Sequence, residues 1–246
     1  MLAQSASCPS RISHKALFLQ PLSDGASAGS ETTNLKGCDV MKVLVIGAAG
    51  RTGQAIVEKA IAAGHVVTAF VRKAEEYKGP DVRLVVGDAT DQASMDTAMA
   101  GQEAVIDTIG GKAPYRKTSL ERSVARTVVA SMKSSGAKRV ILISAFGVGN
   151  SAEQVSWFVE HVIVPTWLRG STEDKAATEE IVRASGIAFV IVRPAMLTDH
   201  AANGNIKIFE GHDTAHEITR GDVAQFCVEQ LTSDQHVGGA VTIANS

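Results

Sequence analysis

The sequence predicts an α/β protein in which a mostly parallel, doubly wound β-sheet is covered by helices in a single domain. Short runs of β-branched and apolar residues alternate with helical segments along residues 41–246. A glycine-rich turn at residues 47–53 directly follows the first apolar run. Because the connections between these segments are short, right-handed crossovers and a parallel sheet are expected.

The predicted strands are apolar without alternation, as expected when helices cover both faces of a parallel sheet. They lie at residues 42–46, 66–71, 82–86, 104–109, 139–143, 187–192 and 240–243. The helices are predicted at residues 54–63, 92–100, 120–135, 173–185 and 222–231. Glycine follows the first four helices closely, which is typical of helix ends. No internal repeat or linker divides this region.

Residues 1–40 differ in composition from the rest of the chain. They contain seven serines and scattered Gly and Thr, with neither helical nor alternating apolar periodicity. We expect a disordered or spurious N-terminal extension, so that the organised sequence begins at Met41. A transit peptide is the weaker alternative, because Asp24, Glu31 and Asp39 interrupt the basic residues.

Charge and cysteine content exclude several classes of function. The chain has 24 Lys and Arg against 26 Asp and Glu, a net charge of −2, which disfavours binding to nucleic acid or to anionic membranes. Its three cysteines (Cys8, Cys38 and Cys227) form no zinc or disulfide pattern, so no metal site is expected. No apolar run reaches the roughly 18–20 residues of a membrane span. We expect a cytoplasmic protein, monomeric or homodimeric.

The turn at residues 47–53 reads GAAGRTG and predicts a dinucleotide site. Glycines at Gly47, Gly50 and Gly53 would let the backbone approach a pyrophosphate, which the N–H groups and dipole of the following helix would hold. The turn follows a buried strand and opens a helix, which is the context that such a motif requires. The other predicted contacts from this turn are Ala49, Arg51 and Thr52.

The end of the second strand indicates which dinucleotide is bound. An NAD site needs a carboxylate there for the ribose 2′-hydroxyl, but Arg72 and Lys73 follow Val71. Arg51 lies in the glycine turn itself. Guanidinium groups bind a 2′-phosphate through paired hydrogen bonds, so NADP(H) is the predicted cofactor.

Further candidates follow the third, fourth and fifth strands, at the carboxyl edge where α/β sheets bind ligands. Asp88 could accept a hydrogen bond from the adenine amino group, or could merely cap a turn, and the adjacent Ala89 is also a predicted cofactor contact. Ile109 and Gly110 would let the backbone pass close to the cofactor. Ser144 places a hydroxyl at the same edge.

Several segments together resemble one family over most of residues 41–246. They are VIGAAGRTG (45–53), FVR (70–72), VVGDATD (85–91), AGQEAVIDTIG (100–110), SAF (144–146), DK…EEIVRASGIAFVIVRP (174–194) and ITRGDVAQFCVEQLTSD (218–234). The chain is similar to the atypical short-chain dehydrogenases/reductases that include NADPH-dependent flavin reductases (biliverdin-IXβ reductase-like) and NmrA-like proteins. The resemblance implies that Arg72 binds the 2′-phosphate, Asp88 lies beside adenine and Ser144 lies beside the nicotinamide. It also implies that the segment from Pro194 through Met196 to Leu197 lines the nicotinamide.

Two departures from the family bear on the chemistry. Short-chain dehydrogenases use a Tyr-x-x-x-Lys pair in which the tyrosine is the acid, and here Lys175 is preceded at that spacing by Ser171. Alcohol–ketone chemistry with a tyrosine acid is therefore disfavoured, although Lys175 remains a catalytic candidate. Met196 stands where related reductases can carry a histidine, which weakens the case for a bilin substrate.

Residues 147–170 form the most distinctive segment, since they hold both tryptophans of an aromatic-poor chain. We predict a substrate lid in which Trp157 and Phe158 stack on a planar acceptor and His161 donates a proton. The alternative is an amphipathic helix that packs its rings on the domain or on a second subunit.

The predicted function is NADPH-dependent reduction of a small flavin-like or quinone-like acceptor by hydride transfer. Such a ring can take its proton from solvent, so that the protein mainly stacks and orients the two rings. An NmrA-like regulatory protein that senses NADP(H) without turnover is the alternative. A relative of sugar-nucleotide epimerases is disfavoured by the missing tyrosine.

Overall fold

A computed structural model describes residues 40–110, 119–149, 169–209 and 215–246. In these residues the strands are β1 (Lys42–Ile46), β2 (Val66–Val71), β3 (Arg83–Val86), β4 (Ala104–Asp107), β5 (Arg139–Ile143), β6 (Ala188–Pro194), β7 (Met196–Thr198), β8 (Ile206–Phe209), β9 (Glu217–Thr219) and β10 (Gly239–Asn245). The α-helices are α1 (Arg51–Ala62), α2 (Gln92–Met99), α3 (Leu120–Ser135), α4 (Arg169–Arg183) and α5 (Arg220–Glu229), and a short 3-10 helix spans Ala74–Glu76.

Eight strands form the main sheet in the order β3-β2-β1-β4-β5-β6-β10-β8. All neighbours in this sheet are parallel except β8, which runs antiparallel to β10 at one edge. From β1 the chain adds β2 and β3 on one side of the sheet and then β4, β5 and β6 on the other. Sheets of this kind bind ligands where the direction changes, which here is at the carboxyl ends of β1 and β4. The predicted doubly wound, mostly parallel α/β fold is confirmed.

Helices cover both faces of the sheet and create two apolar cores. Val43 and Val45 of β1 pack on the core that contains α1 and α5, whereas Leu44 and Ile46 pack on the core that contains α2, α3 and α4. Successive side chains of a strand point to opposite faces, so a continuous apolar run is required to fill both cores. Cys227 of α5 is fully buried, as predicted for a core residue, and burial raises the pKa of its thiol.

The predicted strands and helices are confirmed with small shifts at their ends. Helix α3 ends at Ser135 as predicted, and Gly136 adopts φ +78° and donates its N–H to Met132 O. Helix α1 begins at Arg51 instead of residue 54, so the end of the glycine turn is already helical. Strand β4 ends at Asp107 instead of residue 109, because the Asp107 side chain accepts the N–H of Ile109 and turns the chain.

Three short strands were not predicted. Strands β7 and β9 pair in a small parallel sheet beyond the end of β6, and β8 forms the antiparallel edge. Asp222 of α5 helps to hold this region, since its carboxylate accepts the N–H groups of Asn203 and Gly204 and the side-chain amide of Asn245. These bonds join residues far apart in the sequence, which a local pattern does not reveal. Within the described residues, the helices are too short or too polar to cross a membrane.

Candidate functional site

The glycine turn packs so tightly that side chains are excluded at two positions. Gly47 adopts φ +80°, and a Cβ there would lie 2.7 Å from Thr108 Oγ1. A Cβ on Gly53 would lie 2.3 Å from Gly47 O, far inside van der Waals contact. Glycine at these positions therefore lets the first turn of α1 pack directly on the turn that follows β1.

The amino end of α1 presents backbone donors. Gly50 is its N-cap and makes no side-chain capping bond, and no acidic residue lies in the first turn. The first N–H groups of a helix have no acceptor within the helix, and the helix dipole adds positive potential there. This end of α1 therefore has the chemistry that a dinucleotide pyrophosphate requires.

A cavity of about 220 Å³ lies beside this turn, and we call it the central cavity. Its described lining residues are Thr52, Thr108, Ile109, Gly110, Ile143, Ser144, Ala145, Lys175, Pro194, Ala195 and Leu197. They come from α1, from α4 and from the chain at the carboxyl ends of β4, β5 and β6. The lining is mostly apolar, and Lys175 is its one charged side chain among the described residues.

Ser144 is tied to a buried ion pair. Its hydroxyl donates to Glu179 Oε1 across 2.7 Å. Arg193 donates to the same carboxylate through Nε at 2.9 Å and through Nη2 at 2.6 Å. The three residues are buried. Because its hydrogen is engaged by Glu179, Ser144 offers lone pairs to the central cavity.

Lys175 reaches the central cavity from α4 and is held by Glu121 of α3. Its Nζ lies 2.8 Å from Glu121 Oε2, and both side chains are largely buried. Asp107, the last residue of β4, is also buried, and burial raises the pKa of its carboxyl to about 7. The nearby charge of Glu121 acts in the same direction, whereas the charge of Lys175 opposes it.

Basic side chains lie at two places near the glycine turn. Arg51 donates to Asp199, which also accepts from Arg220. Arg72 follows β2, is exposed, and forms no ion pair with the described residues. The neighbouring Lys73 differs, since its Nζ lies 3.9 Å from Glu76 Oε1.

Asp88 has the turn-capping geometry that was one of its two predicted roles. Its Oδ1 accepts both the N–H and the hydroxyl of Thr90 at 2.8 Å. These two bonds hold the pKa of Asp88 below its ordinary value, with a smaller contribution from Arg72. The next residue, Ala89, is buried and accepts the hydroxyl of Thr127 at its carbonyl.

A sequence model of a family described as NAD(P)H-binding matches residues 47–234, which is most of the chain. The chain belongs to this NAD(P)H-binding family. The match begins at the first glycine of the turn and extends past α5. A nicotinamide dinucleotide is therefore the cofactor class, in agreement with the prediction.

Two curated relatives cover most of this NAD(P)H-binding chain. A chloroplastic protein of Arabidopsis thaliana, uncharacterised in function, is 29% identical over 211 residues, which cover 79% of this chain and 73% of the relative. The uncharacterised sugar epimerase YhfK of Bacillus subtilis is 28% identical over 200 residues, with coverages of 78% and 88%.

Two solved structures share the fold at low sequence identity. The anaerobilin reductase ChuY of Escherichia coli O157:H7 superposes with a TM-score of 0.68 at 23% identity, covering 83% of this chain and 97% of ChuY. A Streptococcus pneumoniae protein proposed to be an NADH-flavin reductase has a TM-score of 0.68 at 21% identity, with coverages of 84% and 100%. At these identities the likeness shows the fold alone.

The predicted site residues fall into three groups in this NAD(P)H-binding structure. Around the central cavity lie Thr52, Ile109, Gly110, Ser144, Lys175, Pro194 and Leu197. In or next to the glycine turn lie Gly47, Ala49, Gly50, Arg51 and Gly53, and at the ends of β2 and β3 lie Arg72, Asp88 and Ala89. Met196 is 67% exposed and is not among the lining residues of the cavity.

Two predictions lie wholly or largely outside the described residues. His161 and most of the predicted lid at 147–170 fall in residues 150–168, and the predicted N-terminal extension falls almost entirely in residues 1–39. Among the described residues, no group of three or more His, Cys, Asp and Glu side chains could hold a metal ion.

Several charged side chains that interact with predicted site residues were not predicted from the sequence. They are Asp107 and Glu121 (with Lys175), Glu179 and Arg193 (with Ser144), and Asp199 and Arg220 (with Arg51). Asp107 and Arg193 had a visible signal, since each interrupts an otherwise apolar strand (AVID and AFVIVRP). A charged residue in a buried strand needs a partner, and that requirement points to a functional or structural cluster. Glu121, Asp199 and Arg220 had no such local signal.

Proposed function

We propose that this protein is an NADPH-dependent reductase that reduces a flavin or a similar flat, conjugated acceptor. The observation that carries this proposal is the central cavity, which adjoins the glycine turn and has mostly apolar walls. An apolar slot with few polar groups suits two stacked planar rings, because it excludes water and orients both. The reaction then needs accurate positioning more than a strong acid.

The residues present fit a bound dinucleotide. The first N–H groups of α1 would hold the pyrophosphate, and glycine at position 53 lets this end of α1 pack directly on the turn after β1. Ile109 and Gly110 would flank the cofactor at the end of β4, with Pro194 and Leu197 on the opposite side. When bound, the reduced nicotinamide supplies a hydride. Ser144 would accept a hydrogen bond from the carboxamide or from the acceptor, since its own hydrogen is engaged by Glu179.

The preference for NADPH over NADH rests on Arg72. Its side chain is exposed at the end of β2, where an NAD site would need a carboxylate. The neighbouring Lys73 lies 3.9 Å from Glu76 Oε1, whereas Arg72 forms no ion pair with the described residues, so Arg72 is the first candidate for a 2′-phosphate at this edge. Arg51 would contribute a second guanidinium if it exchanged Asp199 for the phosphate.

The named relatives favour a reductase over the alternatives. One structural neighbour is named as an anaerobilin reductase and another as a proposed NADH-flavin reductase, and both names support reductase chemistry. The epimerase name of YhfK points to different chemistry. Sugar-nucleotide epimerases are disfavoured here because Ser171 occupies the place of the tyrosine acid.

The decisive experiment combines a binding and a turnover measurement on the purified chain. We expect calorimetry to show tighter binding of NADPH than of NADH. The absorbance of reduced nicotinamide should then fall when FMN, riboflavin, a quinone or a bilin is added. NADPH binding without oxidation by any of these acceptors would overturn the reductase assignment in favour of an NADP(H)-sensing regulatory protein. No binding of either dinucleotide would overturn both.

The location of this reaction is a separate proposal. We place it in the cytoplasm, with a plastid as the alternative because one relative is chloroplastic. Fluorescent fusions of the full chain and of residues 41–246 distinguish the cytoplasm from a plastid. The two fusions should show different locations only if residues 1–40 act as a targeting segment.

A further inference from the structure

We propose that Lys175 is the counter-ion of the reduced acceptor, because its ammonium group stabilises the negative charge that a neutral, carbonyl-bearing ring acquires with the hydride. The inference rests on the proposed reductase function and deepens it by naming the class of acceptor, which is an uncharged flat ring conjugated to a carbonyl oxygen. Lys175 contacts the acceptor, whereas Glu121 is a positioning residue that acts through Lys175.

Hydride transfer brings a negative charge into the central cavity. The acceptor gains two electrons and one hydrogen nucleus as a hydride, taken from a C–H bond of the reduced dinucleotide. A neutral quinone or flavin thereby becomes an anion, and conjugation carries the charge to a carbonyl oxygen, which water protonates when the product leaves. Between mostly apolar walls such an anion is costly unless a hydrogen-bond donor or a cation lies against it.

Lys175 is the charged donor among the described residues that line this cavity. Two hydroxyl groups of the same lining have their hydrogens engaged elsewhere. Thr108 donates to Ile46 O at 2.8 Å, and Ser144 donates to Glu179. These hydroxyls present lone pairs to the cavity, which repel an anion, whereas an ammonium group has three N–H donors and a positive charge. Lys175 is therefore the side chain suited to the anion.

The contact between Lys175 and Glu121 fixes the ammonium group before an acceptor arrives. Nζ lies 2.8 Å from Glu121 Oε2, and the two side chains are 14% and 5% exposed. The backbone N–H of Glu121 is accepted at 3.1 Å by Asp174, the residue before Lys175, so α3 and α4 are joined beside this contact. An ammonium group that donates one N–H to a carboxylate has two more for a ligand. A charge fixed in advance is the arrangement that stabilises a developing anion most effectively.

The charge of Lys175 also determines which acceptors it favours. A neutral ring gains a negative charge with the hydride, so its attraction to Lys175 grows along the reaction, and only such growing interactions accelerate a step. A cationic ring becomes neutral with the hydride, so it is repelled by Lys175 at the start and gains nothing from it. The two kinds of acceptor therefore distinguish a counter-ion from a residue that merely supports the cavity wall.

The first test compares the single-turnover reduction of two flat acceptors by NADPH. Lys175→Met should slow the reduction of menadione, a neutral quinone, by about 10- to 100-fold, as expected for the loss of one charged hydrogen bond. Reduction of methylene blue, a cation, should be unchanged or faster. Lys175→Arg should restore much of the menadione rate. Lys133→Met, which removes an exposed cation of α3, is the control and should change neither rate.

The outcomes separate this inference from the proposed function. Equal slowing of both acceptors in Lys175→Met, or reduction of methylene blue alone by the wild type, would overturn the inference and leave the reductase assignment standing. A wild type that reduces no acceptor would overturn both. Because Lys175→Met leaves Glu121 buried without its ammonium partner, the double variant Lys175→Met with Glu121→Gln is measured as well, and the same dependence on acceptor charge is expected.

The second test needs no turnover and uses the protein without dinucleotide. The probe is 7-hydroxycoumarin, a flat ring whose phenol and phenolate forms differ in absorbance, at a pH where the free dye is a mixture of the two. A larger phenolate fraction should appear in the presence of the wild type and of Lys133→Met, and Lys175→Met should abolish this increase. No increase with the wild type, including the case in which the dye does not bind, would overturn the inference whether or not any acceptor is reduced.

Discussion

Ser144 donates its hydroxyl hydrogen to Glu179 across 2.7 Å, inside the protein and at the wall of the central cavity. Glu179 simultaneously receives two hydrogen bonds from Arg193, so its position is fixed from two sides. A serine oriented in this way is an acceptor toward any ligand in the cavity. The carboxylate that holds its hydrogen is itself paired with Arg193, so we expect Ser144 to orient a ligand and not to act as a nucleophile.

Removal of the Ser144 hydroxyl should slow turnover more than it weakens cofactor binding. In Ser144→Ala we expect about a 2- to 12-fold slower single-turnover rate, because one neutral hydrogen bond contributes roughly 0.5–1.5 kcal/mol. Stopped-flow absorbance of reduced nicotinamide measures the rate, and calorimetry measures the dissociation constant. Ser134→Ala, on the exposed side of α3, is the control. An unaltered rate would remove Ser144 from the proposed site.

Loss of Glu179 should destabilise the fold strongly. Arg193 is 2% exposed, so Glu179→Ala leaves a buried guanidinium without its bidentate partner. We expect a loss of about 3–5 kcal/mol in the free energy of unfolding, measured by denaturant titration. The double variant Glu179→Leu with Arg193→Met should recover much of this loss. A double variant that is no more stable than Glu179→Ala would show that the unpaired Arg193 charge does not cause the loss of stability.

Two Gly→Ala substitutions separate packing of the turn from access to the cofactor. Gly53→Ala places a Cβ 2.3 Å from Gly47 O, so α1 must move, and we expect a lower melting temperature and loss of dinucleotide binding. A Cβ on Gly110 meets no atom of the described residues within 4 Å, so the melting temperature should be unchanged. If Gly110→Ala weakens dinucleotide binding without lowering the melting temperature, this would indicate that the backbone after β4 lies close to the cofactor. A stable Gly53→Ala variant that binds NADPH normally would contradict the proposed turn.

Arg72→Ala should weaken NADPH much more than NADH. A charged hydrogen bond to phosphate is worth about 1.5–3 kcal/mol, which corresponds to roughly 10- to 100-fold in the ratio of dissociation constants. Arg72→Asp combined with Arg51→Ala should enlarge the change. Lys73→Ala is the matched comparison, because it removes the neighbouring exposed cation, whose Nζ lies 3.9 Å from Glu76 Oε1. Equal losses of affinity for NADPH and NADH would show that Arg72 does not bind the 2′-phosphate.

Asp107 should make the stability of the protein depend on pH near neutrality. Its pKa is raised from 3.8 to about 7 in the folded state, so its stabilising contribution is complete below about pH 4 and is lost as pH rises through 7. Asp107→Asn retains an acceptor for the Ile109 N–H but does not titrate. The free energy of unfolding of the variant minus that of the wild type should therefore increase between pH 4 and pH 7. A constant difference, measured by urea titration at several pH values, would contradict this assignment.

The residues of the glycine turn and of the strand ends could be identified from the sequence because their signals are local. A glycine motif after a buried strand and before a helix defines its own geometry, and the strand ends place Ile109 and Ser144 at one edge of the sheet. The ion pairs could not be predicted in this way. Glu121 and Lys175 are 54 positions apart, and Arg51 and Asp199 are 148 apart.

Apolar periodicity and the glycine motif were sufficient to predict the parallel sheet, its covering helices and the class of cofactor, because each depends on neighbours within a few residues. The tertiary structure decided which charges meet, that Ser144 faces the cavity as an acceptor, and that β8 closes the edge of the sheet. Electrostatic partners and edge pairing follow from distances in space, and burial raises the pKa of the Asp107 carboxyl.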